Sequence, residues 1–306
     1  MQRMILVTGA TGHVGRHVVS QLLQTSAAVR ALARNPDQAS LPSGVEVVRG
    51  NLSDPDTLNA SLIGVEAVFL MWPFPTAKAA PAVLDVISKH ARRIVYLSSM
   101  SVRDDLERQS DPISAFHADI EHLIEQSELE WTILRPSGFA TNTLLWAPQI
   151  RADGVVRWPY GAAVRSLIHE RDIATVAVRA LTEDGHVGAK YVLTGPQSLT
   201  QVEQVHIIGE VISRPLRYDE IEPVAARQQL LTSWGLPSLV ARLLPANTLP
   251  RRMVDGALDS WAKMVSEPER VSPTMEEVTG VPARTFREWA TDHASDFRPR
   301  GEKQAK

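Results

Sequence analysis

The stretch Met4–Gly15, MILVTGATGHVG, decides the fold. Met4–Thr8 is apolar on both faces, as expected of a central parallel strand. Directly after it, Gly9, Gly12 and Gly15 follow the spacing GxxGxxG and open a segment of helical periodicity. A glycine turn between a strand and a helix predicts a pyrophosphate site, because the helix N-terminus offers unpaired N–H groups and a positive dipole end.

Each glycine of this turn has a separate predicted role. Gly9 allows the tight turn, Gly12 lets the backbone approach a pyrophosphate, and Gly15 permits close packing of helix on strand. A glycine turn without any ligand is the alternative interpretation. The residues predicted here to contact a dinucleotide are Gly9, Thr11, Gly12, His13, Val14 and Gly15.

Short β-branched runs alternate with helical patterns along the first half of the chain. Strands are predicted at Val29–Leu32, Val45–Val48, Ala67–Met71, Arg93–Leu97 and Trp131–Leu134, with Lys190–Thr194 later. Helices are predicted at 14–23, 81–90, 114–127, from an Asp172 cap to Leu181, and at Leu199–Ile212. This rhythm predicts an α/β fold, a Rossmann-type doubly wound parallel sheet.

A second, smaller and mostly helical lobe is predicted from the later part of the chain. From Pro223 onward the patterns are helical and interrupted by prolines. We expect a dinucleotide-binding domain over residues 1–150, which also takes in about 168–196. Residues 151–306 then form the substrate lobe, with a frayed tail from about residue 298.

Composition excludes several classes of function. The chain has 306 residues, 44% of them hydrophobic, a formal charge of −3 and no cysteine. This balance argues against disorder and against nucleic-acid or membrane-surface binding, and the absence of cysteine removes disulfides and thiolate chemistry. No apolar run is long enough to span a bilayer, and no signal-peptide pattern opens the chain. We therefore expect a soluble, cytoplasmic protein.

Arg34 stands at the end of the second predicted strand, about 20 residues after the glycines. NAD-selective folds place an acid there to hold the ribose 2′-hydroxyl, whereas an arginine suits a 2′-phosphate. NADP(H) is therefore favoured over NAD(H). The alternative is that Arg34 is a solvated charge at a strand end.

At this point a family resemblance becomes visible. The segments TGATGHVG (8–15), ALAR (31–34) and WTILRPSGFATN (131–142) resemble the NmrA-like group of atypical short-chain dehydrogenase/reductases. IHERDIATVAVRAL (168–181) and KYVLTGPQSLT (190–200) are similar to its actinobacterial-type NAD(P)H-binding members. The resemblance covers about Met4 to Phe297. It implies an NAD(P) cofactor and leaves the substrate open.

The resemblance also implies further cofactor contacts. Asn51 stands where the family commonly has an acid that touches adenine, with Leu52 after it. Met71, Trp72 and Pro73 follow the fourth strand, where the family wraps the ribose and nicotinamide side. The aromatic side chains there either line a pocket or only pack against the sheet end.

The family's catalytic positions are altered in this chain. Ser98, Ser99 and Met100 end the fifth strand at the place of the family's catalytic-strand serine, where a hydroxyl can orient a substrate carbonyl or a nicotinamide amide. Ser98 is predicted to contact the cofactor and Ser99 to be catalytic; the alternative is that both are ordinary strand-end serines. The usual tyrosine and lysine are missing, because Ile113 and His117 occupy their positions. His117 is predicted to contact the cofactor and to act as hydrogen-bond partner or general acid. The alternative is a surface or capping imidazole.

Loops at the carboxyl ends of parallel strands line the ligand crevice of such sheets. The predicted pocket walls are Phe74, Met100, Phe139, Asn142, Trp146, Trp158 and Tyr160. This aromatic set favours a flat or conjugated substrate. No metal motif is present, so no metal site is expected.

Three functions remain open on these grounds. The first is an NADP(H)-dependent oxidoreductase for a small aromatic or conjugated carbonyl or quinone-like metabolite. The second is a catalytically inactive NADP(H) sensor that binds a protein partner, and the third is a biosynthetic isomerase or cyclase. Because the developing charge is delocalised, quinone or enone reduction needs less help from a protein acid, so the missing tyrosine favours such acceptors.

Overall fold

The computed structural model describes residues 3–233, 245 and 247–299. The strands are β1 (Met4–Val7), β2 (Ala28–Ala33), β3 (Val45–Arg49), β4 (Ala67–Met71), β5 (Arg93–Leu97), β6 (Glu130–Pro136), β7 (Val155–Trp158), β8 (Val164–Arg165), β9 (Ala189–Leu193), β10 (Leu199–Thr200) and β11 (Arg217–Glu220). The α-helices are α1 (His13–Leu22), α2 (Leu58–Ser61), α3 (Ala80–Ser88), α4 (Pro112–Glu125), α5 (Ala147–Asp153), α6 (Glu170–Thr182), α7 (Gln201–Val211), α8 (Pro223–Ser233), α9 (Leu249–Ser266), α10 (Thr274–Thr279), α11 (Phe286–Asp292) and α12 (Ala294–Phe297).

Seven parallel strands form the sheet of the first unit. Their order is β3-β2-β1-β4-β5-β6-β9, so successive strands are added toward one edge up to β3 and toward the other edge from β4 onward, which places the switch between β1 and β4. The predicted doubly wound Rossmann-type sheet is confirmed. The carboxyl end of β1, which leads into the glycine turn, lies at this switch point, where such sheets bind ligands.

The chain divides into two compact units. The first comprises Met1–Ser137, Glu170–Leu193 and Pro273–Pro282, and the second Gly138–His169, Thr194–Ser272 and Ala283–Lys306. The first segment ends one residue past β6, rather than near residue 150. The predicted frayed tail from about residue 298 lies almost entirely outside the described residues.

Three predicted helix starts were wrong. Helix α4 begins at Pro112 rather than at residue 114, because the Asp111 side chain caps it. Helix α6 begins at Glu170, so Asp172 is a buried residue of its first turn rather than the cap. Acidic residues are favoured both at the N-cap and in the first turn, where they interact with the helix dipole. The sequence alone therefore does not tell which of these two positions Asp172 occupies. Helix α7 begins at Gln201, because Thr200 caps it and forms a capping box with Glu203. Thr200 itself belongs to β10, where it pairs with Val164 of β8.

The second unit is mostly helical and carries two small two-stranded sheets, β10–β8 and β11–β7. Its core is rich in aromatic rings. Trp146 and Trp158 pack edge to face with centroids 6.1 Å apart, and Trp158 lies 5.5 Å from Trp261. A second aromatic group joins Phe286, Trp289 and Phe297.

Candidate active site

The glycine turn accepts no side chain at two of its three glycines. Gly9 has φ +62°, and a Cβ there would lie 2.3 Å from Met71 Cε. A Cβ on Gly15 would lie 2.1 Å from the Gly9 carbonyl oxygen, which is backbone and cannot move aside. The Gly12 N–H donates to that same oxygen at 2.9 Å and closes the turn. The predicted roles of Gly9 and Gly15 in turn and packing therefore match this geometry.

The N-terminus of α1 is open to an anion. Gly12 is its N-cap and provides no side-chain cap, and the first turn contains no acidic residue. Thr11, Gly12 and His13 are exposed, whereas Val14 and Gly15 are buried. The positive dipole end of α1 thus begins at exposed residues, as a pyrophosphate site requires.

Arg16 adds a positive charge to this turn. Its Nε donates to the Gly12 carbonyl at 3.2 Å and its Nη2 to the Thr11 carbonyl at 3.1 Å. Sequence reasoning missed this residue. Its position four residues after Gly12, on the exposed face of α1, is the signal that would have found it.

Arg34 directly follows β2 and is exposed, and within the described ranges its guanidinium makes no hydrogen bond or ion pair. Arg30 is fully engaged instead, with Nε 2.9 Å from Glu46 and Nη1 2.9 Å from the Ser61 carbonyl. Arg49, which sequence reasoning overlooked, is also exposed and is the register partner of Ala33 on β3. Arg34 and Arg49 therefore offer two cations at neighbouring strand ends.

Some of the residues after β3 and β4 use their side chains for hydrogen bonds within their own loops. Asn51 Oδ1 accepts from the Ser53 N–H at 3.0 Å, so its amide group is the part left for an adenine edge. Leu52 and Trp72 are buried, and Trp72 Nε1 donates to the Thr76 carbonyl at 2.9 Å. Phe74 packs against the Trp72 ring with centroids 5.2 Å apart. The Trp72 ring therefore belongs to the core, while Met71 and Phe74 are half-buried and Pro73 is exposed.

Ser98 is committed to a structural contact. It is buried, and its hydroxyl donates a very short hydrogen bond to Glu121 of α4. Glu121 in turn accepts from Arg135 Nη2 at 2.5 Å. This engagement differs from the predicted cofactor contact, because the hydroxyl proton of Ser98 is used inside the fold.

A network of charges surrounds Arg135 at the end of β6. Arg135 is bidentate to Asp104, at 2.7 and 2.6 Å, and Lys190 of β9 lies 3.1 Å from the same carboxylate. The hydrogen bond from Arg135 holds the pKa of Asp104 well below its usual range. This network ties the loop after β5 to β6, β9 and α4, and it gives the Arg-Pro strand end a structural role.

Ser99 begins a chain of hydroxyl groups. Its Oγ lies 2.8 Å from Ser101 Oγ, which lies 2.9 Å from Ser114 Oγ. Ser114 donates to Asp111 Oδ2 at 2.5 Å, while Asp111 Oδ1 caps α4. Ser114 Oγ is also the donor in its contact with Ser101 Oγ, and either hydroxyl can donate between Ser99 and Ser101. Ser99 Oγ accepts from the Ser101 N–H at 3.2 Å, so its hydroxyl is held within this loop.

His117 of α4 is paired with Tyr96 of β5. The Tyr96 hydroxyl lies 2.7 Å from His117 Nδ1, and Phe116 stacks on the imidazole at a centroid distance of 4.2 Å. Burial lowers the pKa of His117 to about 4, against a weaker opposing effect of Asp111. The neutral imidazole, rather than the imidazolium expected of a general acid near pH 6.5, is therefore present at neutral pH.

The tautomer of His117 follows from its partner. Burial, assisted by Glu121, raises the pKa of Tyr96 well above its usual range, so the phenol keeps its proton. Because His117 Nδ1 is the one hydrogen-bond partner of this hydroxyl among the described residues, we assign the phenol as the donor and Nδ1 as the acceptor. The ring proton of His117 then resides on Nε2. Within the described residues Nε2 has no hydrogen-bond partner, and it is not sealed from solvent. An N–H donor is thus available at the position where the family has lysine.

Several predicted pocket walls lie in the second unit. Trp146 and Trp158 are 2% and 3% exposed and pack in its aromatic core, which differs from the prediction that they line an accessible pocket. Burial of such large rings is sufficient reason for their presence. Phe139 and Tyr160 are half-buried and Asn142 is exposed; Met100, in the first unit, is half-buried. These four stay predicted pocket residues.

Two negative findings apply to the described part of the chain. There, no group of three or more histidine, aspartate or glutamate side chains is arranged to hold a metal ion. None of its helices is long and apolar enough to cross a membrane.

The sequence profile of the NAD(P)H-binding family matches residues 9–184, more than half of the chain. The chain belongs to this NAD(P)H-binding family. It is 41% identical over 304 residues to a (4-alkanoyl-5-oxo-2,5-dihydrofuran-3-yl)methyl phosphate reductase from Streptomyces griseus subsp. griseus, covering 97% of this chain and 100% of that protein. It is 34% identical over 303 residues to an NAD(P)H azoreductase from Xenophilus azovorans, with 96% and 99% coverage.

A solved structure agrees with these relatives. The crystal structure of an NADPH-dependent quinone oxidoreductase from Escherichia coli matches with a TM-score of 0.74 at 25% identity, covering 94% of this chain and 99% of that one. The resemblance to the NmrA-like group of atypical short-chain dehydrogenase/reductases is confirmed. The chain is an NAD(P)H-dependent oxidoreductase, and its open glycine turn fits the dinucleotide that such an enzyme needs.

Proposed function

We propose that this oxidoreductase uses NADPH to reduce a conjugated acceptor such as a quinone or an enone. The single observation that carries the proposal is the 2.7 Å contact between the Tyr96 hydroxyl and His117 Nδ1, which leaves Nε2 as the ring nitrogen without a partner among the described residues. When bound, NADPH supplies the hydride. What the protein adds at the acceptor is a hydrogen-bond donor without a positive charge.

His117 is a poor source of protons. To give up the Nε2 proton it would have to become imidazolate or take the Tyr96 proton at Nδ1, which would leave a buried tyrosinate beside Glu121. Ser99 is engaged within its own loop, where its Oγ accepts from the Ser101 N–H and contacts Ser101 Oγ at 2.8 Å. The proposed site therefore stabilises a developing oxyanion by hydrogen bonding and leaves final protonation to water.

This chemistry selects among acceptors. Hydride addition to a quinone or enone spreads the negative charge over a conjugated system, so a hydrogen-bond donor suffices. Hydride addition to an isolated ketone produces a localised alkoxide that requires a proton in the transition state. The names of two similar proteins support a conjugated acceptor. One is an azoreductase and the other a quinone oxidoreductase, and azo compounds and quinones are both conjugated.

The preference for NADPH rests on Arg34, with Arg49 beside it. Both are exposed at neighbouring strand ends, and the guanidinium of Arg34 has no partner within the described chain. A planar guanidinium suits a phosphate oxygen pair. Arg16 would add charge beside the pyrophosphate at the glycine turn.

Turnover of NADPH with a quinone, an enone and a simple ketone tests the proposal. We expect oxidation with the first two and little with the ketone. His117→Ala should lower kcat with quinone, whereas His122→Ala, on the exposed face of the same helix, should not. Tight NADPH binding without oxidation by any acceptor would instead favour the sensor or the isomerase.

A further inference from the structure

Arg165, at the end of β8 in the second unit, carries a guanidinium without a hydrogen-bond partner among the described residues. Within the described residues it makes no hydrogen bond and no ion pair, and its Nε is buried without an acceptor. The residue as a whole is half-buried. A buried side-chain nitrogen normally has a hydrogen-bond partner.

The guanidinium is held in place by packing alone. One nitrogen, Nη2, sits where a Cβ on Gly138 would be, at 1.9 Å, so only glycine at 138 leaves room for it. The Trp261 ring lies with its centroid 5.9 Å from the guanidinium carbon. These contacts fix the position of the charge without neutralising it.

Glu269 is near Arg165 but is committed elsewhere. Its Oε2 accepts from the Ser166 N–H at 2.8 Å, and Ser166 Oγ lies 3.4 Å away. Burial lowers the pKa of Arg165 and Glu269 raises it, so the acid helps to keep the guanidinium charged. The pair is not a salt bridge, because no nitrogen of Arg165 lies within 4 Å of that carboxylate.

An unpaired, partly desolvated cation destabilises a fold unless something completes it. We propose that Arg165 binds an anionic oxygen group of the acceptor, a phosphate or a carboxylate, beside Gly138. Gly138 directly precedes Phe139, a predicted pocket residue of the same unit. The proposal rests on the proposed reductase function, since it assigns one feature of the substrate that this function reduces.

The first experiment measures thermal stability and does not depend on turnover. The holoprotein, saturated with NADP⁺ so that the glycine turn is filled, is heated with sodium phosphate, sodium acetate or sodium chloride at equal ionic strength. We expect phosphate, acetate or both to raise the Tm of the wild type above the chloride value, and whichever does so identifies the oxyanion. Arg165→Gln should abolish this increase and be at least as stable as wild type in chloride. An increase that survives in Arg165→Gln, or no increase in the wild type, overturns the proposal.

The second experiment uses matched acceptors, a neutral quinone and the same quinone with a phosphate or carboxylate substituent. Arg165→Gln should raise KM for the anionic acceptor by at least about tenfold, the loss expected for a charged hydrogen bond, and leave the neutral one unchanged. Gly138→Ala, which displaces the guanidinium, should act in the same direction. Arg157→Gln, at an exposed arginine paired with Asp153, is the control. Equal losses for both acceptors would overturn the assignment, whereas inactivity of the wild type with every acceptor would refute the reductase proposal and leave the Tm result to decide this site.

Discussion

The hydroxyl of Tyr96 lies 2.7 Å from Nδ1 of His117, and this single contact decides which proton the imidazole can offer. Tyr96 lies on β5 and is fully buried, so its orientation is fixed by the sheet. His117 lies on α4, six residues after its Asp111 cap. The pair thus presents an uncharged N–H donor from a rigid base.

Removal of the Tyr96 hydroxyl should weaken catalysis without affecting cofactor binding. In Tyr96→Phe, His117 Nδ1 loses its donor, so both neutral tautomers and a larger imidazolium fraction become accessible. We expect kcat with quinone to fall about fivefold, equivalent to a hydrogen bond of about 1 kcal/mol, with unchanged KM for NADPH. Steady-state kinetics between pH 5 and 8 should show a new inflection in the variant that the wild type lacks. An identical, flat profile in both proteins would contradict the tautomer assignment.

The depressed pKa of His117 predicts a pH-dependent stability. The unfolded chain binds a proton near pH 6.5, whereas the folded protein does so only at about pH 4. Between these values the unfolded state binds more protons, so the free energy of unfolding decreases as pH falls through this window, by about 1–3 kcal/mol in all. Urea unfolding at pH 7.5 and 4.5 measures it. His117→Gln, which keeps an acceptor for Tyr96, should reduce the difference; a difference of wild-type size in the variant would assign it to other groups.

Arg34 and Arg30 form a matched pair for the cofactor preference. Arg34→Ala should abolish the preference for NADPH over NADH, raising the Kd for NADPH by about tenfold or more while sparing NADH. Arg30→Ala removes contacts to Glu46 and to backbone carbonyls, so it should lower Tm and leave the preference intact. Tryptophan fluorescence quenching by each cofactor measures both. Equal affinities in the wild type would contradict the role of Arg34.

The network around Arg135 predicts a large structural effect. Arg135→Met would leave Glu121, which is 2% exposed, as a buried carboxylate without its cation. We expect a loss of about 3–5 kcal/mol in the free energy of unfolding, as for other broken buried pairs. Combining it with Glu121→Gln should recover part of this loss, because the stranded charge is removed. Additive losses in chemical denaturation would show that the two residues are independent.

Features that depend on residues close together in the sequence could be predicted, whereas features that depend on residues far apart in the sequence could not. The glycine turn and the sheet were predictable, because GxxGxxG and the apolar strand MILV act over neighbouring residues. The state of His117 was not, since it depends on a tyrosine 21 positions away that pairing of β5 brings beneath α4. Trp146 and Trp158 were taken for pocket walls because nothing local distinguishes a ring in a core from one beside a ligand. Arg165 was not predicted as a binding residue, because no local pattern shows that an arginine lacks a partner. Its lack of a hydrogen bond becomes apparent only from the described neighbours in the folded structure.

The first unit is assembled from three separate stretches of chain, and this has a consequence for biosynthesis. Strand β9 completes the sheet edge, and α10 then packs on α6, where Arg179 donates to the Thr279 carbonyl at 2.9 Å. As the chain leaves the ribosome, the cofactor-binding sheet is therefore complete only after β9 has emerged. The helices that cover it are complete only after residues 273–282 have emerged. Until translation has passed that point, the apolar surface of α6 under α10 stays open, and chaperones have their longest opportunity to bind there.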